Sequence, residues 1–204
     1  MRHVVQAGYE DGNYEAAFRA DRNLNNFELR FMESLDGYMS SNARILDLGS
    51  GTGVPFDRHL VRKGYKVLGV DFAVRHLRSA RRKVPEATYV KGDLSRIECA
   101  PESLDAVVSF YAIFHLPRRE HAALFATIRR WLRPRGVVLM TLGTTDTEYG
   151  EDAEWCGAPM AWSSYPPEVY RQMLTETGFV IRVADFEGAP GDSEHHFWLL
   201  AQRA

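Results

Sequence analysis

Residues 43–53, Ala43-Arg44-Ile45-Leu46-Asp47-Leu48-Gly49-Ser50-Gly51-Thr52-Gly53, together with Asp71, are the positions best suited to hold a small ligand. Ile45, Leu46 and Leu48 form a short apolar run that reads as a buried strand, and it stops at three glycines on alternate positions. Glycine admits positive φ and lets a ligand approach the backbone with no Cβ in the way. Val54-Pro55-Phe56, Leu60 and Val61 follow at helical spacing, with Pro55 where a first helical turn tolerates it. Strand, glycine turn and helix in that order present backbone N–H groups to a ligand. The next apolar segment, Lys66-Val67-Leu68-Gly69-Val70-Asp71-Phe72, ends in a carboxylate. At the tip of a second parallel strand such a group can accept hydrogen bonds from both hydroxyls of a ribose.

The glycine spacing separates two cofactor classes. A dinucleotide fingerprint is G-x-G-x-x-G, whereas these glycines fall at 49, 51 and 53 with Asp47 before them. The stretch resembles the class I S-adenosylmethionine (SAM) dependent methyltransferases, whose first motif reads hydrophobic-hydrophobic-Asp-x-Gly-x-Gly-x-Gly. The resemblance covers residues 40–203, nearly the whole chain. It implies a three-layer, doubly wound α/β fold with a seven-stranded sheet of order 3-2-1-4-5-7-6, strand seven antiparallel. It also implies that Asp47, Gly49, Ser50, Gly51 and Gly53 lie by the methionine part of SAM, with Asp71 on the ribose and Phe72 near the adenine. Asp93 and the backbone of Leu94 then meet the adenine amino group, while Ser109, Phe110 and Tyr111 border the sulfonium. The Trp131–Gly136 stretch resembles the family's turn into strand five, with Arg135-Gly136 where Gly-Gly is usual.

The implied reaction asks little covalent help of a protein. A sulfonium methyl is already activated, so alignment of a nucleophile and exclusion of water carry most of the work. The product would be S-adenosylhomocysteine (SAH). A general base adds a further factor for a hydroxyl or ammonium acceptor. Candidates are His115, which follows strand four on the sheet edge where ligands bind, Tyr111, Tyr14 and, after them, His195 or His196. His115 equally suits a structural role, its ring bonded to a backbone group, and Tyr14 either closes over the cofactor or packs on the cover helix. His195 and His196 point to opposite faces of a strand, and no metal site is expected. Ser109-Phe110-Tyr111-Ala112 lacks the Asn/Asp-Pro-Pro-aromatic tetrad of methyltransferases acting on planar nucleobase or glutamine nitrogens. Trp155, Met160 and Trp162 offer an acceptor-pocket wall or lid, or else patch the core.

Positioning these residues falls to alternating strands and helices. Strands are expected at 43–48, 66–71, 87–91, 104–110 and 137–142, with helices at about 54–63 and 73–83 and another before Arg133. Such alternation argues for a parallel sheet covered on both faces. Residues 1–42 read as an N-terminal cover: a loop with Tyr9, Tyr14 and Phe18 passing into a short helix, then an amphipathic helix with Leu24, Phe27, Phe31, Leu35 and Tyr38 on one face. Residues 143–165 break the rhythm as a long loop, and 166–204 supply a helix and a hairpin turning at 187–194. The helix at 73–83 has Arg75, Arg78, Arg81, Arg82 and Lys83 on one face, read as solvated.

Bulk properties bound the partners. Residues 1–204 suit one domain with a full core. A net charge of −2 argues against a nucleic-acid partner. Cys99 and Cys156 stand far apart, which fits a reducing cytoplasm, and neither a secretory signal nor a bilayer-spanning stretch is read. The expected partner is a small-molecule acceptor, and oligomeric state is not readable. Two rival readings stand beside a methyltransferase: a non-catalytic SAM-binding or scaffolding protein, and an NAD-dependent oxidoreductase, for which the glycine spacing is wrong.

Overall fold

A computed structural model describes residues 1–14, 16, 21–192 and 195–204. Seven strands form one sheet: β1 (Arg44–Leu48), β2 (Lys66–Asp71), β3 (Thr88–Lys91), β4 (Leu104–Ser109), β5 (Leu132–Leu142), β8 (Phe179–Glu187) and β9 (His196–Arg203). Their order is β3-β2-β1-β4-β5-β9-β8. β9 runs antiparallel to both β5 and β8, while the pairs from β3 to β5 are parallel. With the separate hairpin of β6 (Thr147–Asp152) and β7 (Met160–Ser164) left out of the count, this is the expected 3-2-1-4-5-7-6 order.

Alternation along each strand sends successive side chains to opposite faces, and the two faces make two cores. Leu46, Leu48, Val107, Val138 and Met140 pack with Leu124, Phe125, Ile128 and Trp131 of α5 (His121–Trp131) and with Tyr170 and Leu174 of α6 (Pro167–Glu176). Ile45, Ala106, Val108, Val137 and Leu139 meet α2 (Asn26–Asp36) through Phe31, Met32 and Leu35, and α3 (Phe56–Arg62) through Phe56 and Leu60. α2 starts on a capping box, with Asn25 and Glu28 each accepting from the other's backbone N–H. α4 (Val74–Lys83) covers the β2–β3 edge through Leu77 and Ala80. Among the described residues no helix is long and apolar enough to cross a membrane.

Three sequence expectations are corrected. Residues 2–11 are not loop but a helix, α1 (Arg2–Asp11), whose buried side holds Val5 and Gly8. Gly8 sits there because an added Cβ would overlap the Pro159 carbonyl oxygen; close packing, not a turn, explains the glycine. Residues 143–165 are not an irregular loop either, since β6 (Thr147–Asp152) and β7 (Met160–Ser164) pair antiparallel within them. Finally, β5 begins at Leu132 and bulges over 133–136, so Leu104 faces Leu132 and Ala106 faces Val137. Leu24 and Tyr38 flank α2 and pack beside it rather than within it. Phe18 and residues 193–194 of the expected 187–194 turn lie outside the described residues.

Candidate functional site

Four parallel strands deliver their C-terminal ends to one edge, and α1 lies across it. Between them is a cavity of about 410 Å3 lined by Arg2, Tyr9, Tyr14, Gly49, Gly51, Asp71, Phe72, His76, Asp93, Leu94, Phe110, Tyr111 and His115. Its floor is the glycine turn, where Gly49, Gly51 and Gly53 hold φ of 82°, 55° and 72°. Four of the turn's amides are already used within the chain. Gly49 and Ser50 donate to the Val70 carbonyl at 2.8 and 3.0 Å, Gly53 to the Ser50 carbonyl, and Gly51 to Asp71. The turn therefore offers close backbone approach more than free donors, which corrects the expectation of N–H groups turned to a ligand.

Asp71 is the junction of the site. One carboxylate oxygen accepts from Gly51 N at 2.9 Å and the other from Ala73 N at 2.8 Å, while the residue still lines the cavity. Each oxygen keeps a lone pair for a hydroxyl. His76 Nδ1 stands 3.8 Å behind it. At the opposite wall Asp93 is held by Arg2 Nε at 3.0 Å and by the amide and hydroxyl of Ser95. These neighbours keep the Asp93 carboxyl below its ordinary value against the opposing effect of burial. Arg2 also reaches Glu120, so the first turn of α1 is clasped to the sheet edge.

Beyond Ser109 the chain turns sharply, with Tyr111 in the left-handed region at φ 57°. Ser109 Oγ donates to the Leu48 carbonyl at 2.7 Å, pinning the β4 tip to the β1 tip, and does not reach the cavity. Phe110 lines the cavity while stacking on Phe56 at 3.8 Å. The Tyr111 hydroxyl points to Glu187 at 2.7 Å and Glu28 at 3.4 Å. Its ring edges the cavity but its proton is committed elsewhere.

His115 is the best-defined polar contact on the cavity wall. Its Nδ1 lies 2.8 Å from the Ala161 carbonyl oxygen, which can only accept, so that nitrogen carries the hydrogen. Nε2 is then the acceptor for the Tyr9 hydroxyl at 2.8 Å. Burial drags the imidazole down to about 4, the Ala161 bond opposing it. The ring is thus neutral across the physiological range and holds the Tyr9 hydroxyl in place. Sequence reasoning did not single out Tyr9. Its signal was the Val5/Tyr9 spacing of one helical turn, hidden by Gly8 and Gly12.

The remaining expected residues divide. Tyr14 lines the cavity and stacks on Trp155 at 5.5 Å. Trp155 stands behind it and Tyr9, outside the lining. Met160 is buried against Val5 under α1, and Trp162 lies across Gly150 of the β6–β7 hairpin; neither reaches the cavity. Asp47, Ser50 and Gly53 do not line the cavity. Among the described residues no group of three or more His, Cys, Asp or Glu is placed to hold a metal.

With this geometry the chain can be compared with known proteins. A methyltransferase-domain family model matches residues 45–136, from β1 into β5. The chain is 29% identical over 161 residues to a sterol 24-C-methyltransferase of Clavispora lusitaniae, covering 70% of this chain and 41% of that one. It is 25% identical over 208 residues to a SAM-dependent Diels–Alderase of Neonectria, covering 94% and 80%. Among solved structures, the magnesium protoporphyrin IX methyltransferase of Synechocystis superposes with a TM-score of 0.73 over 100% of both chains at 16% identity, a likeness of fold. The chain spans less than half the length of several curated relatives it matches. Strand order, glycine turn and the matched domain agree: residues 45–136 match a methyltransferase domain, and the chain has the fold of the class I S-adenosylmethionine-dependent methyltransferases.

Proposed function

We propose that this chain, acting through residues 1–204 as one unit, moves the methyl group of SAM to an oxygen or nitrogen of a small-molecule acceptor and releases SAH. The observation that carries this reading is the cavity under α1. Its volume of about 410 Å3 is at the small end for a ligand site, and an added Cβ at Gly51 would meet nothing within 4 Å. The groups around it suit SAM: spare carboxylate lone pairs on Asp71 for the ribose, Phe72 and Leu94 for the adenine, and bare backbone at Gly49 and Gly51 for the amino-acid tail. Asp93, held by Arg2, reaches the adenine edge only by sharing its oxygens. Bound there, SAM supplies a methyl group already activated by its sulfonium.

The chain's own part is to align, to exclude water and to hold one hydroxyl. α1, Tyr14 and Phe110 close the cavity, and the Tyr9 hydroxyl is oriented by His115 Nε2. His115 is a poor proton store because its imidazolium is destabilised by burial. Tyr9 therefore positions the acceptor by hydrogen bonding, and full deprotonation by His115 is unfavourable at neutral pH. His115→Ala is expected to lower kcat about tenfold or less, below the 10²–10⁴ of a true general base. The parent's rate profile should show no inflection near the ordinary histidine value of 6.5 that the variant lacks. A histidine-dependent inflection between pH 6 and 7 would restore His115 as the base.

A second reading has one observation in its favour: the Neonectria relative, matched over 94% of this chain, uses SAM in a Diels–Alderase. Calorimetry with SAM, SAH and NAD, followed by measurement of SAH formed over a panel of small acceptors, separates the cases. Binding of SAM with stoichiometric SAH formation supports methyl transfer. SAM bound but never consumed, while a substrate is isomerised, favours the second reading, and no binding of SAM or SAH ends both.

A further inference from the structure

One imidazole on the cavity wall makes no hydrogen bond to any of the described residues. His76, on α4, is buried at 2% exposure and lines the same cavity as Asp71 and Tyr9. Its Nδ1 stands 3.8 Å from Asp71 Oδ1, beyond hydrogen-bond reach, and neither ring nitrogen has another partner among the described residues. Buried polar groups are normally bonded, so these nitrogens need an explanation. Neighbouring rings fix the imidazole instead. The Tyr9 ring stands edge-on to it at 5.2 Å and 67°, and the Tyr14 ring is tilted against it at 5.5 Å and 42°. Tyr9 belongs to α1 and is itself held by His115. Roof and wall therefore meet on this one ring, whose orientation is set by packing.

The gap between His76 and Asp71 has the width of one hydroxyl. An oxygen about 2.8 Å from both Nδ1 and Oδ1 spans a separation of 3.8 Å as a bridge. The carboxylate also selects the tautomer, because a hydrogen on Nδ1 is attracted to Asp71 whereas a lone pair there is repelled. A hydroxyl in the gap then donates to Asp71, which can only accept, and accepts from His76 Nδ1. We infer that His76 is a further cofactor-binding residue, its Nδ1–H donating to the ribose hydroxyl whose proton Asp71 accepts. The inference rests on the reading that the cavity takes SAM with its ribose at Asp71.

The pair gives the site a selectivity that Asp71 alone lacks. Asp71 tests only whether the ligand can donate; His76 tests whether the same atom can also accept. A hydroxyl does both, whereas an ammonium donates without accepting and a carbonyl accepts without donating. A site built in this way rejects a ligand that lacks the hydroxyl, because its own buried groups are left unpaired.

Calorimetry on the full chain tests it, with SAH, 2′-deoxy-SAH and 3′-deoxy-SAH as probes and weak binders read by competition against SAH. His76→Phe keeps a ring to pack on Tyr9 and Tyr14 and removes both nitrogens. His76→Asn puts an amide N–H close to the place of Nδ1. His76→Phe is expected to bind SAH about tenfold more weakly than the parent, the scale of one hydrogen bond, and His76→Asn to recover most of that loss. The loss should vanish against one deoxy analogue and persist against the other, since deleting either end of a bond removes the same interaction. SAH affinity in His76→Phe within twofold of the parent overturns this inference alone. So does a loss equal for all three probes, which marks the ring as packing only. Failure of the parent to bind SAH and SAM overturns the functional reading along with it.

Discussion

Alanine at Gly49 is expected to destabilise the chain by about 3 kcal/mol, because two separate penalties fall on one atom. The residue holds φ of 82°, a left-handed conformation that costs an L-residue about 1–2 kcal/mol. The new Cβ would also overlap the Cβ of Ala112 on the neighbouring strand exit, and overpacking of this kind costs about 1–3 kcal/mol. Gly53→Ala meets the same pair of costs, at φ 72° and against the Tyr89 hydroxyl. Gly51→Ala is the informative contrast. Its φ is 55°, but an added Cβ would meet nothing within 4 Å, so only the backbone cost of about 1 kcal/mol applies. That methyl group would, however, stand in the cavity. Denaturant titrations should rank Gly51→Ala as the mildest of the three, while its affinity for SAM falls with the others. A Gly49→Ala protein within 0.5 kcal/mol of the parent, roughly the scatter of surface substitutions, would contradict the packing described for the turn.

Asp71→Ala should lose both stability and cofactor. The carboxylate is the acceptor for the N–H groups of Gly51 and Ala73, so its removal strands two backbone donors on either side of the cavity floor. A buried donor left unsatisfied costs about 1–3 kcal/mol, and water admitted through the cavity recovers part of it, leaving about 2–4 kcal/mol for the pair. The two charge-assisted bonds proposed to the ribose, at about 1.5–3 kcal/mol each, would correspond to at least a hundredfold loss in SAM affinity. Asp71→Asn is no rescue, since its NH2 would face one of those N–H groups. Calorimetry and denaturation on the same preparations measure both effects. An affinity within threefold of the parent would remove Asp71 from the binding site.

The contrast between these two sites shows what a sequence can carry. The glycine turn was legible because an apolar run of strand length ending in alternate glycines has few other solutions in an α/β chain, whereas the strand order followed only from the resemblance to a known family. Asp71 was expected to meet a ribose and does line the cavity, but its bracing of Gly51 and Ala73 depends on a register between two strands that no local pattern encodes. α1 was misread because Gly8 and Gly12 are turn residues by composition, whereas here the space beside Gly8 is filled by Pro159 and Met160 from a segment far along the chain. Distance along the chain likewise left Met160 and Trp162 open between an acceptor-pocket wall or lid and a patch on the core. The hairpin that carries them forms through the Gly150–Trp162 and Asp152–Met160 pairings, and it turns both side chains away from the cavity. His76 gave no signal at all: it stands among the arginines of α4, and only its burial beside Asp71 makes it unusual.

The clasp on α1 has a kinetic corollary. Arg2 on Asp93 and Glu120, Tyr9 on His115 and Glu10 on the Val74 amide fasten both ends of the helix over the cavity. If the donor and its spent form both travel beneath that helix, every cycle must unfasten it to unload and again to reload. The slowest of those openings then sets a ceiling on steady-state throughput that no improvement at the reacting atoms could raise.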